Sequence, residues 1–143
     1  MHIEAISNVQ KVASLLAAAN LPTADICANS PFSFFGIHSN GELVAAAGIE
    51  RLSAHSGLLR SVAVKPEFQG QGFATRLVAF CEQWAKHNGI NTLYLLTSTA
   101  SSFFSKQGYR LVPRSEAPAD VSNTAQFSSL CPSAASLMQK ALQ

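Results

Sequence analysis

The chain has 143 residues, 48% of them apolar and only 13% charged, which is enough apolar material for the core of one domain over residues 1–143 and too little charge for a disordered chain. Ten Lys and Arg against eight Asp and Glu leave a formal charge of +2. That surplus is too small for a duplex-binding surface, so no nucleic-acid partner is expected, although a local site for a small anion is not excluded. The first residues, MHIEAISNVQKV, hold no basic segment leading into an apolar stretch. The longest apolar run, Leu43 to Ile49, is far below the ~20 residues of a membrane span. A cytoplasmic protein with no membrane partner is therefore expected. The cysteines Cys27, Cys81 and Cys131 are sparse, odd in number and widely separated, which suits a reduced compartment and matches no compact metal site.

Residues 2–6 alternate and predict a first strand. Ser7 with Gln10 forms a capping-box pattern, and Val9, Val12, Leu16 and Ala19 recur at helical spacing, predicting a helix over 8–19 that Asn20 and Pro22 stop. The segment 21–31 reads either as a short helix or as a loop. Phe32–His38 and Glu42–Leu52 predict a hairpin around Ser39-Asn40-Gly41, since Asn-Gly supplies the positive φ angles of tight turns. After a second turn at His55-Ser56-Gly57, the strand Leu58–Val64 is apolar on consecutive positions, as in the middle of a sheet covered on both sides. Gly72–His87 carries Phe73, Leu77, Phe80, Cys81 and Trp84 on one face and is closed by Gly89, a helix. Thr92–Leu96 predicts a strand, Ser101–Gln107 a short helix and Tyr109–Val112 a strand. A Pro- and Ser-rich segment from 113 to 132 has room for one short helix within 118–130. Residues 133–142 fit a strand or a helix. Hairpins followed by strand-helix-strand-helix make a mixed α/β sheet, neither purely antiparallel nor doubly wound.

The chemistry concentrates where the buried strand ends at Pro66, a loop with two glycines follows, and a helix begins near Gly72. Backbone N–H groups at a helix start have no intrahelical partner and carry the positive end of the dipole, and glycine lets a ligand approach them closely. That arrangement suits a phosphate or pyrophosphate. A P-loop is excluded because the chain has no Gly-Lys pair. A dinucleotide fingerprint fails at its third glycine, where Thr75 stands, and lacks the acidic residue expected after a second strand. The pattern Gln/Arg-x-x-Gly-x-Gly/Ala fits Gln69-Gly70-Gln71-Gly72-Phe73-Ala74 at every position.

With the preceding Val62-Ala-Val-Lys-Pro-Glu-Phe68, this segment resembles the pyrophosphate loop of the GNAT superfamily of N-acetyltransferases. Phe103-Phe-Ser-Lys-Gln-Gly-Tyr109 is similar to that family's aromatic-x-x-x-Gly-aromatic segment. The element order resembles the GNAT fold over nearly the whole chain. That fold is an α+β domain whose mixed central sheet has antiparallel N-terminal strands and flanking helices. Residues 124–135 together with Leu58, Leu59, Arg60 and Ser61 further resemble an arsenic-resistance-linked branch of the family, which implies an amino-acid-like arsenical as one candidate acceptor.

The resemblance implies acetyl-coenzyme A as cosubstrate, with no metal, and direct acetyl transfer to a small primary amine or amino-acid-like acceptor. The pyrophosphate would lie on the amides of Gln69, Gly70, Gln71, Gly72, Phe73, Ala74 and Thr75. The pantetheine arm would pair like an extra strand with Val62, Ala63 and Val64. Arg76 and Lys65 are candidates for coenzyme phosphates, or else solvated surface charges. Glu50 is the candidate base, with pairing to Arg51 or Arg60 as its other reading. His55 is an alternative base on an expected exposed turn. The family's thiolate acid is a tyrosine where this chain has Phe104, here assigned only to coenzyme contact, and phenylalanine cannot donate a proton. Ser101 or Ser102 would then supply a hydroxyl, or cap the following helix. A coenzyme-binding sensor or regulatory module without turnover is the alternative function. Arg60, a lone cation in an apolar strand, would bind an acceptor oxyanion or pair with Glu50 or Glu67. Arg110 and Arg114 would line the acceptor site. Oligomeric state stays open, a homodimer being common in the family.

Overall fold

The computed structural model describes residues 2–19, 21, 23, 32–124, 127 and 135–142. In chain order the elements are β1 (Glu4–Ile6), α1 (Val9–Ala18), β2 (Phe32–Ser39), β3 (Glu42–Arg51), β4 (Ser56–Val64), α2 (Phe73–His87), β5 (Thr92–Thr97), α3 (Ser101–Lys106), β6 (Arg110–Val112), α4 (Ala119–Ser122) and β7 (Ser136–Ala141). Short 3-10 turns at Pro66–Phe68 and Arg114–Glu116 follow β4 and β6. The seven strands form one sheet in the order β1-β2-β3-β4-β5-β7-β6. Only β4 and β5 pair in parallel; the other neighbours are antiparallel.

Each sheet face is covered by one long helix. On one face α2 contributes Phe73, Leu77, Val78, Cys81 and Ala85 to a core with Phe35, Ala47, Ile49, Leu59, Leu93 and Leu95. On the other, Val12, Leu15 and Leu16 of α1 pack on Phe34, Leu43, Ala46 and Ala63. Ala45, Ala46 and Ala47 are fully buried at the centre of β3, and their small side chains let a helix lie close on either face. The helix α2 ends in a Schellman arrangement: Gly89, at φ +82°, donates to Lys86 O, and Ile90 donates to Ala85 O.

The predicted elements are present with adjusted ends. The α1 cap is Asn8, whose side chain accepts from the Gln10 amide, rather than Ser7. The turn expected at 55–57 lies one or two residues earlier, because Ser56 already pairs with Thr92. Between Pro118 and Leu130 the expected short helix is α4. Residues 136–141 are a strand, inserted between β5 and β6. Most of the segment 21–31, expected as a short helix or a loop, lies outside the described residues, as do Cys27 and Cys131.

Two departures from regular pairing shape the middle of the sheet. Gly48 pairs with Arg60 and Ala46 with Ala63, so Ala47 faces both Ser61 and Val62: a β-bulge, with Ser61 at φ +61°. The extra residue reverses the side-chain alternation. Leu59, Val62 and Val64 face α2, while Arg60 and Ala63 share the α1 face. The second departure is a fork: β4 and β5 pair only over Ser56–Leu58 and Thr92–Tyr94. Beyond Leu58 the β5 side of β4 has no strand partner among the described residues, while β5 runs on against β7.

Candidate active site

The glycine loop stands at the end of the forked strand. Gln69 folds back and donates from Nε2 to the Val64 carbonyl at 3.0 Å. Gly70 and Gly72 take φ +79° and +84°, a region costly for any residue with a Cβ. Gly72 is the N-cap of α2 and brings no side-chain cap. The first intrahelical bond runs from the Arg76 amide to Gly72 O at 3.0 Å, so the amides of Phe73, Ala74 and Thr75 head the helix without intrahelical acceptors. Val64, Phe68, Gln69, Gly70, Gly72, Phe73, Ala74, Thr75 and Phe103 line a cavity of about 360 Å³. The rings of Phe68 and Phe73 stack at 6.0 Å beside it. Uncharged amides at a helix start, next to an apolar wall, offer hydrogen bonds to an anionic head and packing to an aliphatic arm.

The structure thus gathers the strand end and most of the loop around one cavity. Gln71 stands at its margin, its Nε2 3.5 Å from Glu67 O. Val62 packs into the α2-side core and Ala63 is buried beneath α1, so these two present backbone rather than side chain to the fork. Phe104, expected to touch the coenzyme, is not among the residues that line the cavity. It is 6% exposed and packs edge-on against Phe103 and Tyr109, while Phe103 lines the cavity. In a one-turn-and-a-half helix adjacent residues point apart, and two neighbouring phenylalanines carry no sequence signal for which one turns inward. Lys65, expected either at a coenzyme phosphate or as a surface charge, pairs its ammonium with Glu42. Arg76 is exposed one turn into α2.

The second half of the site lies on the α1 face. Side chains of Phe32, Glu50, Leu58, Tyr94, Gln139 and Arg110 form one row across β2, β3, β4, β5, β7 and β6. Arg60 stands diagonally from Glu50, with Nη1 3.5 Å from Oε1. Its guanidinium also lies 4.1 Å from the Phe32 ring centroid, and Nε donates to Ser61 Oγ at 3.1 Å. The Arg60 side chain is 1% exposed against 18% for Glu50, so of its two expected roles the pairing with Glu50 is the one present in the structure. Arg51 turns away from Glu50 and donates to the carbonyls of Ser53, Ala54 and Asn88. His55 is exposed at the turn tip, where its Nδ1 meets Gly89 O at 3.4 Å.

Ser101 opens α3 and is half-buried; it does not cap the helix, whose N-cap is Ala100. The hydroxyl used there is Thr97 Oγ1, which accepts from the Ala100 amide at 3.0 Å. Of the two tyrosines, Tyr109 is buried on the α2 side and donates to Glu82 Oε2 at 3.0 Å. Tyr94, which sequence reasoning passed over, is half-buried on the Glu50 face at the mouth of the fork. Arg110 donates to Gln139 Oε1 at 3.1 Å. Arg114 is committed to the carbonyls of Ala135 and Phe127 and to the Phe127 ring. Burial and the neighbouring Glu82 push the Cys81 thiol up to about 12, the behaviour of a core thiol. Among the described residues no group of His, Cys, Asp and Glu is arranged to hold a metal ion, and no helix is long and apolar enough to cross a membrane.

A family model described as acetyltransferase (GNAT) family matches residues 6–109. An amino-acid acetyltransferase of Pseudomonas putida (strain GB-1) is 29% identical over 77 residues, 53% of this chain and 18% of that protein. An uncharacterised N-acetyltransferase of Chlorobaculum tepidum is 28% identical over 85 residues, 59% of this chain and 54% of that protein. The chain therefore spans less than two-thirds of the length of either relative. In fold it is similar to N-acetylglutamate synthase from Neisseria gonorrhoeae, solved with coenzyme A and N-acetyl-glutamate. That likeness has a TM-score of 0.78 at 18% identity, over 100% of this chain and 36% of that one.

Proposed function

The chain belongs to the acetyltransferase (GNAT) family, and from that premise we propose that it transfers the acetyl group of acetyl-coenzyme A to the nitrogen of a small primary amine or amino-acid-like acceptor. The observation that carries this reading is the 360 Å³ cavity, which joins the end of the forked strand at Val64 to the glycine loop and the head of α2. The pyrophosphate would rest on the amides from Gln69 to Thr75. The pantetheine arm, rich in amides, would pair with the edge of β4 at Val62, Ala63 and Val64 that β5 leaves beyond the fork, as a peptide adds to a sheet edge.

The acceptor nitrogen attacks the thioester carbonyl. The C–N bond forms, the C–S bond breaks, and the nitrogen loses a proton to Glu50, directly or through water. Arg60 fixes that carboxylate from the buried side. The coenzyme sulfur leaves as thiolate and is protonated from solvent or by the Ser101 hydroxyl. No covalent enzyme intermediate is required. Calorimetry with acetyl-coenzyme A, followed by thiol release over an amine panel, tests the reading. Binding with thiol release supports it, and absence of binding at millimolar ligand overturns it.

A second reading, a coenzyme-binding sensor without turnover, is favoured by Phe104, which puts an apolar ring where the family has its acid. It requires binding and no thiol release with any amine. Similarity of residues 58–61 and 124–135 to the arsenic-linked branch adds an amino-acid-like arsenical to the panel; most of the second segment lies outside the described residues. A cytoplasmic setting and a homodimer complete the proposal, the latter tested by light scattering.

A further inference from the structure

Tyr94 has surroundings that the transfer chemistry does not use. Its chain neighbours Leu93 and Leu95 are buried under α2, so the pleat turns Tyr94 to the opposite face, the face of Glu50. In the row across the sheet Glu50 and Tyr94 flank Leu58, about 10 Å apart by strand spacing. The pair Leu58–Tyr94 is the last before the strands part, so the phenol stands where the fork opens.

Two opposite charges converge on it from different elements. Asp120, on α4, reaches across this face to Ser56 on β4, where Oδ2 accepts from the hydroxyl at 3.3 Å. Arg110 continues the row on the far side, beyond Gln139. Both act on the phenol: burial and Asp120 raise its pKa, and Arg110 lowers it. Among the described residues Arg110 spends one of its five N–H donors, on Gln139. The Glu50 charge is already met by Arg60.

We propose that Tyr94, Asp120 and Arg110 form a subsite for the zwitterionic head of an amino acid, and that the amine acetylated at Glu50 is on that amino acid's side chain. The head's ammonium faces Asp120, its carboxylate faces Arg110, and the Tyr94 hydroxyl donates to the carboxylate. The side-chain amine points along the row from Tyr94 toward Glu50, whose carboxylate reaches in from the other side of Leu58. A single charge on the acceptor would leave one of the two protein charges unmatched, and two opposite charges match both. The acceptor class is thus a diamino acid. This rests on the acetyltransferase reading above and specifies its acceptor.

The test compares 2,4-diaminobutyrate with 1,3-diaminopropane, the same diamine without the carboxylate, and with alanine, which lacks the second amine. The full chain, acetyl-coenzyme A and a thiol-release assay are used, with the product nitrogen assigned by NMR. The diamino acid should show a KM at least tenfold below that of the diamine and be acetylated on the side-chain nitrogen. Arg110→Gln should raise the ratio of diamino-acid KM to diamine KM by about tenfold, a discrimination set by one charged contact. Tyr94→Phe should move that ratio in the same direction, with the KM for acetyl-coenzyme A as wild type. Equal KM values for diamine and diamino acid, acetylation of the α-nitrogen, or an unchanged ratio in Arg110→Gln overturns the subsite while leaving the acetyltransferase reading intact. Coenzyme binding with no acetylation of any amine overturns both.

Discussion

The Arg60 guanidinium lies 3.5 Å from the Glu50 carboxylate, on diagonal positions of the β3–β4 ladder. Arg60 is the more buried partner and is held from beneath by the Phe32 ring and from the side by Ser61 Oγ. Its place depends on the bulge, which keeps Arg60 on the Glu50 face while turning Val62 and Val64 toward α2. The carboxylate proposed to take the amine's proton is therefore oriented by a cation that faces the protein and not the solvent.

Glu50→Gln keeps the shape of that side chain and removes both its basicity and its charge. Loss of a general base lowers kcat by about 100-fold, and the KM for acetyl-coenzyme A stays near wild type. Arg60 loses its buried counter-charge, and stability falls by about 1–3 kcal/mol, below the usual cost for a fully buried pair because Glu50 is 18% exposed. Steady-state kinetics and urea denaturation measure the two effects. An unchanged kcat across pH would remove Glu50 from the base role.

Gly72→Ala places a Cβ at φ +84° with no atom within 4 Å of it, so its cost is confined to the backbone, about 1–2 kcal/mol. Gly41→Ala, at φ +79° in the β2–β3 turn and equally open, has the same conformational cost. Only the first should weaken coenzyme A, by about tenfold, since it tilts the α2 amides away from the ligand. Calorimetric titration of both variants beside denaturation curves separates the site from the strain.

Phe103 and Phe104 should part company in the same assays. Phe103→Ala removes a wall of the cavity and weakens coenzyme binding with a modest loss of stability. Phe104→Ala empties a core position against Tyr109 and costs about 3–5 kcal/mol. Equal effects of the two on coenzyme affinity would place the ligand elsewhere.

The protein should lose stability at alkaline pH. Cys81 has a raised pKa in the folded state, about 12 against 9.0, and Tyr109 is raised above its usual 10.0 by burial and Glu82. Groups raised on folding stabilise fully below their unfolded pKa. Above it the unfolded chain ionises first, and the stability is lost as pH climbs toward the folded value. From pH 9 to 12 Cys81 alone accounts for up to about 4 kcal/mol. Denaturation between pH 8 and 11 should show a falling slope that Cys81→Ala makes shallower, and an identical slope in the variant contradicts the assignment.

The elements with strong local codes were readable from the sequence: the Asn40-Gly41 hairpin, the apolar face of α2 with its Gly89 stop, and the loop from Gln69 to Thr75. What escaped was set by tertiary pairing. Ser61 takes φ +61° although nothing in its residue type asks for it, because the bulge is imposed by the β3–β4 register. Residues 136–141, Ser-Leu-Met-Gln-Lys-Ala, fit a helix as well as a strand, and the choice is made by the open edges of β5 and β6 that the segment joins. The Arg60–Glu50 pairing was one of two open readings, and burial decides between them. Tyr94 carried no local motif; its place in the site comes only from the register that lines it up with Leu58 and Glu50.

The most direct test of the account is a calorimetric titration of the full chain with acetyl-coenzyme A. One ligand per chain with a dissociation constant below ~1 mM, weakened in Gly72→Ala and not in Gly41→Ala, is the predicted result. No heat and no competition by coenzyme A at millimolar concentration would contradict it.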